Sequence, residues 1–190
     1  EMDAVWSGKP NARLVEHASE LTPGTALDVG AGEGADSIWL AARGWDVTAM
    51  DVSAVALGRA SAHAEQQGVT DRVATEQADL LAGMPDDRRW DLVNVQFFQL
   101  PSAQRDAVYR AFAEAVAPGG TLLVAAHHVA MAPDMPRDDM ADLMFTQDDI
   151  VGLLDPAEWD VAVCDAPTRD GERGGQPFTW TDAVVVARRH

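Results

Sequence analysis

Residues 27–34 read LDVGAGEG, so an apolar strand runs directly into a turn with three glycines. A helical pattern begins at Ala35, immediately after this turn. Glycine permits a positive φ and lets a ligand approach the backbone closely. The first turn of a helix presents unpaired backbone N–H groups. The stretch therefore predicts a ligand-binding strand–turn–helix unit, with a tight turn that binds nothing as the alternative.

Short β-rich runs alternate with helical runs on both sides of this turn. Strands are predicted at 25–29, 45–50, 72–77, 90–97, 121–126, 159–164 and 179–188, and helices at 10–20, 35–43, 53–67, 102–117 and 146–154. This alternation indicates a parallel sheet with helices on both faces. The last two strands are joined by the Gly- and Arg-rich loop 165–177 without a helix, so we expect them to pair antiparallel.

Acidic residues follow the second and third predicted strands. A carboxylate at Asp51 can accept hydrogen bonds from a ribose diol, or it can simply favour the helix start that follows. Gly30, Gly32 and Ala35 also satisfy the dinucleotide pattern G-x-G-x-x-G/A, so these positions fit a dinucleotide or an adenosyl ligand. Asp79 with Leu80 favours adenine, because a carboxylate accepts from an exocyclic amine while the next N–H donates to a ring nitrogen. A surface-loop aspartate is the alternative for Asp79.

The composition narrows the range of partners. The 190 residues carry a net charge of −17. The electrostatic field of this charge repels phosphate backbones and anionic membranes. We therefore expect no nucleic-acid and no membrane partner. The length of the chain predicts one domain over residues 1–190. Cys164 is the one cysteine, which excludes an internal disulfide and a cysteine zinc cluster; we expect it to be a small buried hydrophobe. The acidic N-terminus lacks a signal-peptide pattern, and these features together predict a cytoplasmic protein.

With these residues assembled, the chain resembles a class I S-adenosylmethionine-dependent methyltransferase from about Trp6 to Arg189. The stretch LDVGAGEG is similar to the family's first motif, Asp51 to its ribose-binding acid, and Asp79 with Leu80 to its adenine contact. The turn 118–120 (PGG) and a closing antiparallel hairpin are also typical of the family. Residues 34–53 and 178–189 further resemble the small tellurite-resistance and thiopurine methyltransferases.

This resemblance implies a three-layer Rossmann-like sandwich whose seven-stranded, mostly parallel sheet has the order 3-2-1-4-5-7-6. It implies S-adenosylmethionine as methyl donor, S-adenosylhomocysteine as product and a small-molecule acceptor, with a soft sulfur, selenium or tellurium nucleophile or an oxyanion favoured. Residues 1–24 are expected to cover the cofactor, and residues 129–145, which are rich in methionine, to form either a lid or a loop packed on the core. The expected cofactor contacts are Trp6, Asp28, Gly30, Ala31, Gly32, Asp51, Val52, Asp79, Leu80 and Gln96.

Candidate catalytic residues lie at the ends of the fourth and fifth strands. His127 and His128 have unperturbed pKa values near neutrality, so either can serve as a base. Strand alternation sends them to opposite faces, so we expect at most one, His127 in preference, to face a pocket; structural hydrogen bonding is the alternative, and no metal site is expected. Gln96 should face the methyl donor and orient the substrate or the cofactor amino group, with rim packing as the alternative.

The sequence departs from parts of the family pattern. Residues 94–97 (NVQF) are not the (N/D)PP(Y/F) motif of amine methyltransferases, and Arg169 and Arg173 match the arginine-bearing tail loop of the tellurite enzymes only loosely. Two other functions stay open. A non-catalytic adenosyl-ligand binder needs no catalytic residue. An NAD(P)-dependent oxidoreductase would explain the glycines and Asp51 but not Asp79 with Leu80. A monomer and a homodimer are both compatible with the sequence.

Overall fold

The computed structural model describes residues 8–134, 142–173 and 175–190, without the side chains of 132–134 and 173. Eight strands are formed within these ranges. They are β1 (Thr25–Val29), β2 (Asp46–Asp51), β3 (Val73–Gln77), β4 (Trp90–Gln96), β5 (Val116–His127), β6 (Trp159–Asp165), β7 (Thr168–Arg173) and β8 (Gln176–Arg189). The sheet order is β3-β2-β1-β4-β5-β8-β6, and β7 pairs with β8 outside this path.

The predicted fold class and strand order are confirmed. Strands β1 to β5 pair in parallel, and β8 pairs antiparallel with both β5 and β6. The path has the seven predicted strands, and the expected loop 165–177 contains an eighth strand, β7, together with the first residues of β8. In this hairpin Thr168 pairs with Thr181 and Arg173 with Gln176. The segment has few β-branched or aromatic residues, so its strand character comes from pairing with a long neighbour.

Helices cover both faces of the sheet and end earlier than the sequence predicts. They are α1 (Ala12–Ala18), α2 (Ala35–Ala41), α3 (Ala54–Gln66), α4 (Ser102–Glu114) and α5 (Gln147–Val151). Ser53 caps α3 through Ala56 N, and Thr146 with Asp149 forms the predicted capping box of α5. Helix α4 ends at Glu114 because the chain already enters β5 at Val116. The predicted turn at 118–120 is an irregular stretch within β5, with Gly119 at φ +80°.

Two hydrophobic clusters enclose the sheet. One includes Tyr109 and Phe112 of α4 and Ile150 of α5, and the other includes Leu14 of α1 and Leu40 of α2. Strand side chains alternate between the faces. Because Ala26, Leu92, Leu123 and Val186 pack on the α1 side, the polar residues Asp28, Asn94, Gln96, His127 and Asp182 lie on that same face.

One expectation from the sequence, a buried Cys164, is wrong. Cys164 is exposed and not buried, because it lies on β6, the edge strand of the sheet, where most residues are exposed. Among the helices of the described ranges, none has the length and apolar composition required to cross a bilayer.

Candidate functional site

The three glycines of the turn all adopt positive φ. The angles are +64° at Gly30, +55° at Gly32 and +86° at Gly34. A Cβ at Gly30 would lie 2.8 Å from the ring of Phe98, and one at Gly34 would lie 2.8 Å from Cβ of Ala60 on α3. Glycine is therefore required at both positions by conformation and by close approach.

Asp51 stands beside this turn at the end of β2. Its carboxylate accepts one hydrogen bond from Gly32 N at 2.9 Å and another from Ser53 N at 2.8 Å. A carboxylate oxygen accepts more than one hydrogen bond, so both oxygens retain capacity for a ribose diol. Val52, the next residue, is 64% exposed, which leaves an apolar surface at the same strand end.

Asp79 and Leu80 lie next to Asp51 at the neighbouring strand end. Ala78 N donates to the Asp51 carbonyl oxygen at 3.1 Å, which ties the end of β3 to the end of β2. The Asp79 side chain is exposed and accepts from Leu81 N at 3.1 Å, while Leu80 is buried. The ends of β1, β2 and β3 thus bring the turn, Asp51, Val52 and Asp79 to one rim of the sheet.

Beneath the turn, Asp28 is the centre of a buried polar network. Its carboxylate accepts from Ser37 Oγ at 2.5 Å and from Asn94 Nδ2 at 2.9 Å. Burial, with a further contribution from the charge of Asp36, raises the pKa of Asp28 to about 7. Both oxygens are engaged within the fold, so the geometry shows Asp28 bracing the turn against α2 and β4.

Gln96 extends this network to the rim. Its Nε2 donates to Asn94 Oδ1 at 2.8 Å. Its Oε1 is buried and accepts no hydrogen bond from any residue that the structure describes. Buried acceptors are nearly always paired, so Gln96 Oε1 fits a ligand that donates, such as the ammonium group of an amino-acid moiety.

The two candidate histidines have different neighbours. The His127 ring lies 4.7 Å from the Phe97 ring and 5.3 Å from the Trp180 ring, measured between centroids. Its Nδ1 is buried and has no partner among the described residues. Burial, and then the positive charge of Arg169, lower the pKa of His127. His128 Nδ1 instead accepts from Ala130 N at 3.0 Å, so of the two rings His127 is the one with a buried, unpartnered nitrogen.

Around His127 lies a group that we call the rim cluster: Phe97, His127, Arg169, Trp180 and Asp182. The Asp182 side chain is 1% exposed and accepts from Arg169 Nε at 3.2 Å. Arg13 Nε of α1 donates to the same carboxylate at 3.1 Å. Arg13, Trp180 and Asp182 carried no prediction from the sequence, because Arg13 and Asp182 are 169 positions apart and neither belongs to a local motif.

The residue before helix α1 contacts the helix that follows the glycine turn. Asn11, just before α1, donates from its backbone N and its Nδ2 to the two carboxylate oxygens of Asp36, at 2.7 and 2.9 Å. Trp6, an expected cofactor contact, lies outside the described residues, as do Met135 and Met140. Met131 and Met144, at the two ends of the methionine-rich segment, are buried. These two side chains belong to the hydrophobic core.

Comparisons with known proteins agree with this fold. A family model described as "Methyltransferase domain" matches residues 26–120, half of the chain. The ribosomal RNA small subunit methyltransferase C of Alcanivorax borkumensis is 34% identical over 110 residues, covering 55% of this chain and 33% of the relative. The 2-heptyl-1-hydroxyquinolin-4(1H)-one methyltransferase of Mycobacteroides abscessus is 27% identical over 132 residues, covering 67% of this chain and 58% of the relative.

Among solved structures, TehB from Haemophilus influenzae superposes with a TM-score of 0.77 at 18% identity, covering 95% of this chain and 62% of that one. At this identity the likeness shows the fold. The chain spans about one third of the length of the first of these three proteins and somewhat less than two thirds of the length of the other two.

Proposed function

The chain belongs to the methyltransferase domain family, and we propose that it is a class I enzyme that transfers a methyl group from S-adenosylmethionine to a small-molecule acceptor. The observation that carries this proposal is the rim itself. The glycine turn, Asp51 and Asp79 lie at three neighbouring strand ends, the edge at which parallel α/β sheets bind ligands.

In this proposal different residues bind different parts of the donor. Asp51 accepts from the ribose diol, Asp79 and the Leu80 backbone recognise adenine, and Val52 packs on its ring. Gly30, Ala31 and Gly32 allow close approach of the backbone, and Gln96 Oε1 accepts from the amino group. The donor supplies an activated methyl group, so the protein mainly supplies proximity and alignment.

For the acceptor we propose a small nucleophile, with a soft sulfur, selenium or tellurium atom or an oxyanion favoured. His127, less so His128, supplies a base where the nucleophile carries a proton. The M. abscessus relative is named for a hydroxyquinolinone, a small molecule. A nucleic-acid acceptor, such as the one in the name of the A. borkumensis relative, is disfavoured by the net charge of −17.

The test is a transfer assay with methyl-labelled S-adenosylmethionine and three acceptor classes: thiols, inorganic oxyanions and small phenols. We expect label in at least one organic or inorganic product, together with stoichiometric S-adenosylhomocysteine. Binding of the donor without transfer to any acceptor would instead support the non-catalytic adenosyl binder. Transfer to ribosomal RNA alone would overturn the small-molecule acceptor.

A further inference from the structure

The rim cluster combines a guanidinium group, which is bound to a buried carboxylate, with aromatic rings that are partly exposed. Arg169 donates from Nε to both carboxylate oxygens of Asp182, at 3.3 and 3.2 Å. These two hydrogen bonds therefore do not use the terminal amino groups of the guanidinium. The guanidinium carbon lies 5.2 Å from the Trp180 ring centroid and 5.9 Å from that of Phe97. The Arg169 side chain is 40% exposed, which leaves it accessible to a ligand.

Four rings stand in a row at this position. Phe97 contacts His127, His127 contacts Trp180, and Trp180 contacts Phe178, with centroid separations of 4.7, 5.3 and 4.8 Å. All four are partly exposed and not part of the buried core. Partly exposed rings and an exposed cation can both attract a further planar ring, by offset or edge-to-face stacking and by cation–π contact.

The backbone places this surface directly beside the glycine turn. Phe98 lies against Gly30, and Phe97, the preceding residue, belongs to the rim cluster. Phe97 has φ +54° and is the one non-glycine residue with positive φ in the described ranges. A bulky residue in this region is strained, and such strain persists where the surroundings impose it, often at functional sites.

We propose that the rim cluster is the acceptor site and that the acceptor is a planar aromatic compound with an acidic hydroxyl group. The aromatic ring lies against Trp180 and Phe97, Arg169 faces the hydroxyl oxygen, and His127 receives its proton. This proposal rests on the methyltransferase function proposed above. The proposal favours this aromatic acceptor over an inorganic oxyanion, because an oxyanion would bind the arginine but would not stack on the rings.

The chemistry balances without a further reactant. The hydroxyl proton passes to the imidazole, the oxygen forms a bond to the methyl carbon, and the sulfur–carbon bond of the sulfonium breaks to leave a neutral thioether. The imidazolium then releases the proton to solvent. The lowered pKa of His127 keeps its ring neutral and able to accept at neutral pH. Arg169 stabilises the negative charge that develops on the oxygen.

The experiment measures binding of 2-naphthol to the protein saturated with S-adenosylhomocysteine, and its methylation, beside methylation of tellurite. The variants are Trp180→Leu and Arg169→Gln. Their matched controls are Trp39→Leu and Arg43→Gln, because these two residues form an arginine-over-indole pair, 3.9 Å apart, at the end of α2. Thermal unfolding verifies that every variant is folded.

We expect each rim variant to weaken 2-naphthol binding by about tenfold or more, with S-adenosylhomocysteine affinity unchanged within about twofold and both controls like the parent. His127→Gln should retain 2-naphthol binding and lose about 10²-fold in the methylation rate. The acceptor proposal is overturned if 2-naphthol does not bind, if the rim variants bind it like the controls, or if only tellurite is methylated. Failure of S-adenosylhomocysteine to bind would instead overturn the proposed function itself.

Discussion

The rim has a proposed donor half, which is the glycine turn with Asp51, Val52 and Asp79, and a proposed acceptor half, which is the rim cluster. Different kinds of contact stabilise the two halves. On the donor side, the turn is fixed by backbone groups: Gly32 N and Ser53 N donate to Asp51, and Ala31 N donates to the Met50 carbonyl. On the acceptor side, side chains hold one another, as Arg13, Arg169 and Asp182 do. Backbone geometry leaves little freedom to vary, whereas side-chain contacts can be exchanged while the fold is kept. Proteins that share this fold can therefore bind the same methyl donor and differ in the acceptor that they bind.

The donor half is most sensitive to a change in its glycines. We expect Gly34→Ala to lower the free energy of unfolding by roughly 2–5 kcal/mol, because the new methyl adds overpacking against Ala60 to a positive φ. Gly68→Ala is the control, since φ is +70° there but no atom lies within 4 Å of the added Cβ. Urea denaturation of both variants separates packing from backbone strain. Equal losses would show that contact with α3 contributes nothing.

The buried network under the turn makes stability depend on pH. The folded pKa of Asp28 is about 7, well above the ordinary aspartate value of 3.8, so between these pH values the folded protein holds a proton that the unfolded chain releases. This stabilisation is complete below about pH 4 and is lost as the pH rises through 7, on the order of 4 kcal/mol.

We therefore expect the unfolding free energy of the parent to fall between pH 4 and 7 more than that of Asp28→Asn. Denaturation series at several pH values measure the difference, with the exposed Asp71→Asn as control. Parallel pH profiles for the parent and Asp28→Asn would contradict the raised pKa.

The acceptor half is most sensitive at its buried carboxylate. Asp182→Ala removes the shared partner of Arg13 and Arg169, and we expect a loss of roughly 2–3 kcal/mol in unfolding free energy. Asp160→Ala breaks a surface pair with His190 in which Asp160 is 81% exposed, and should cost less than about 0.5 kcal/mol. Titration with S-adenosylhomocysteine tests whether the halves are independent: a large loss of its affinity in Asp182→Ala would show that they are not.

A smaller effect is expected at the ribose position. Asp51→Ala should weaken S-adenosylhomocysteine binding by about 1.5–3 kcal/mol, since it removes hydrogen bonds to a charged group. Asp46→Ala is its control, because Asp46 begins the same strand at the opposite rim and is exposed there. Calorimetry gives both affinities. An Asp51→Ala protein that binds like the parent would remove Asp51 from the donor site.

The donor half follows from the sequence because its determinants are local. The glycines, Asp51 and Asp79 are adjacent to the strands that position them. The alternation of strands and helices predicts the parallel sheet, and the strand order is the one that the family resemblance implies. The capping box at Thr146 is likewise a pattern of four residues.

The acceptor half does not follow, because its contacts join distant segments. Nothing local marks Arg13 as a partner of Asp182, and the polar residues of β7 give no alternating pattern. Cys164 was predicted to be buried from its residue type, but its exposure depends on β6 being the edge strand. These features emerge only when the hairpin of β7 and β8 is placed beside β5.

Calorimetric titration of the parent protein with S-adenosylmethionine, S-adenosylhomocysteine, NAD⁺ and NADP⁺ tests the donor assignment most directly. We predict dissociation constants of about micromolar order for the two adenosyl ligands and no heat of binding for the nucleotides. Binding of NAD⁺ or NADP⁺ in place of the adenosyl ligands would contradict the assignment of Asp79 and Leu80 to adenine and of the rim to methyl transfer.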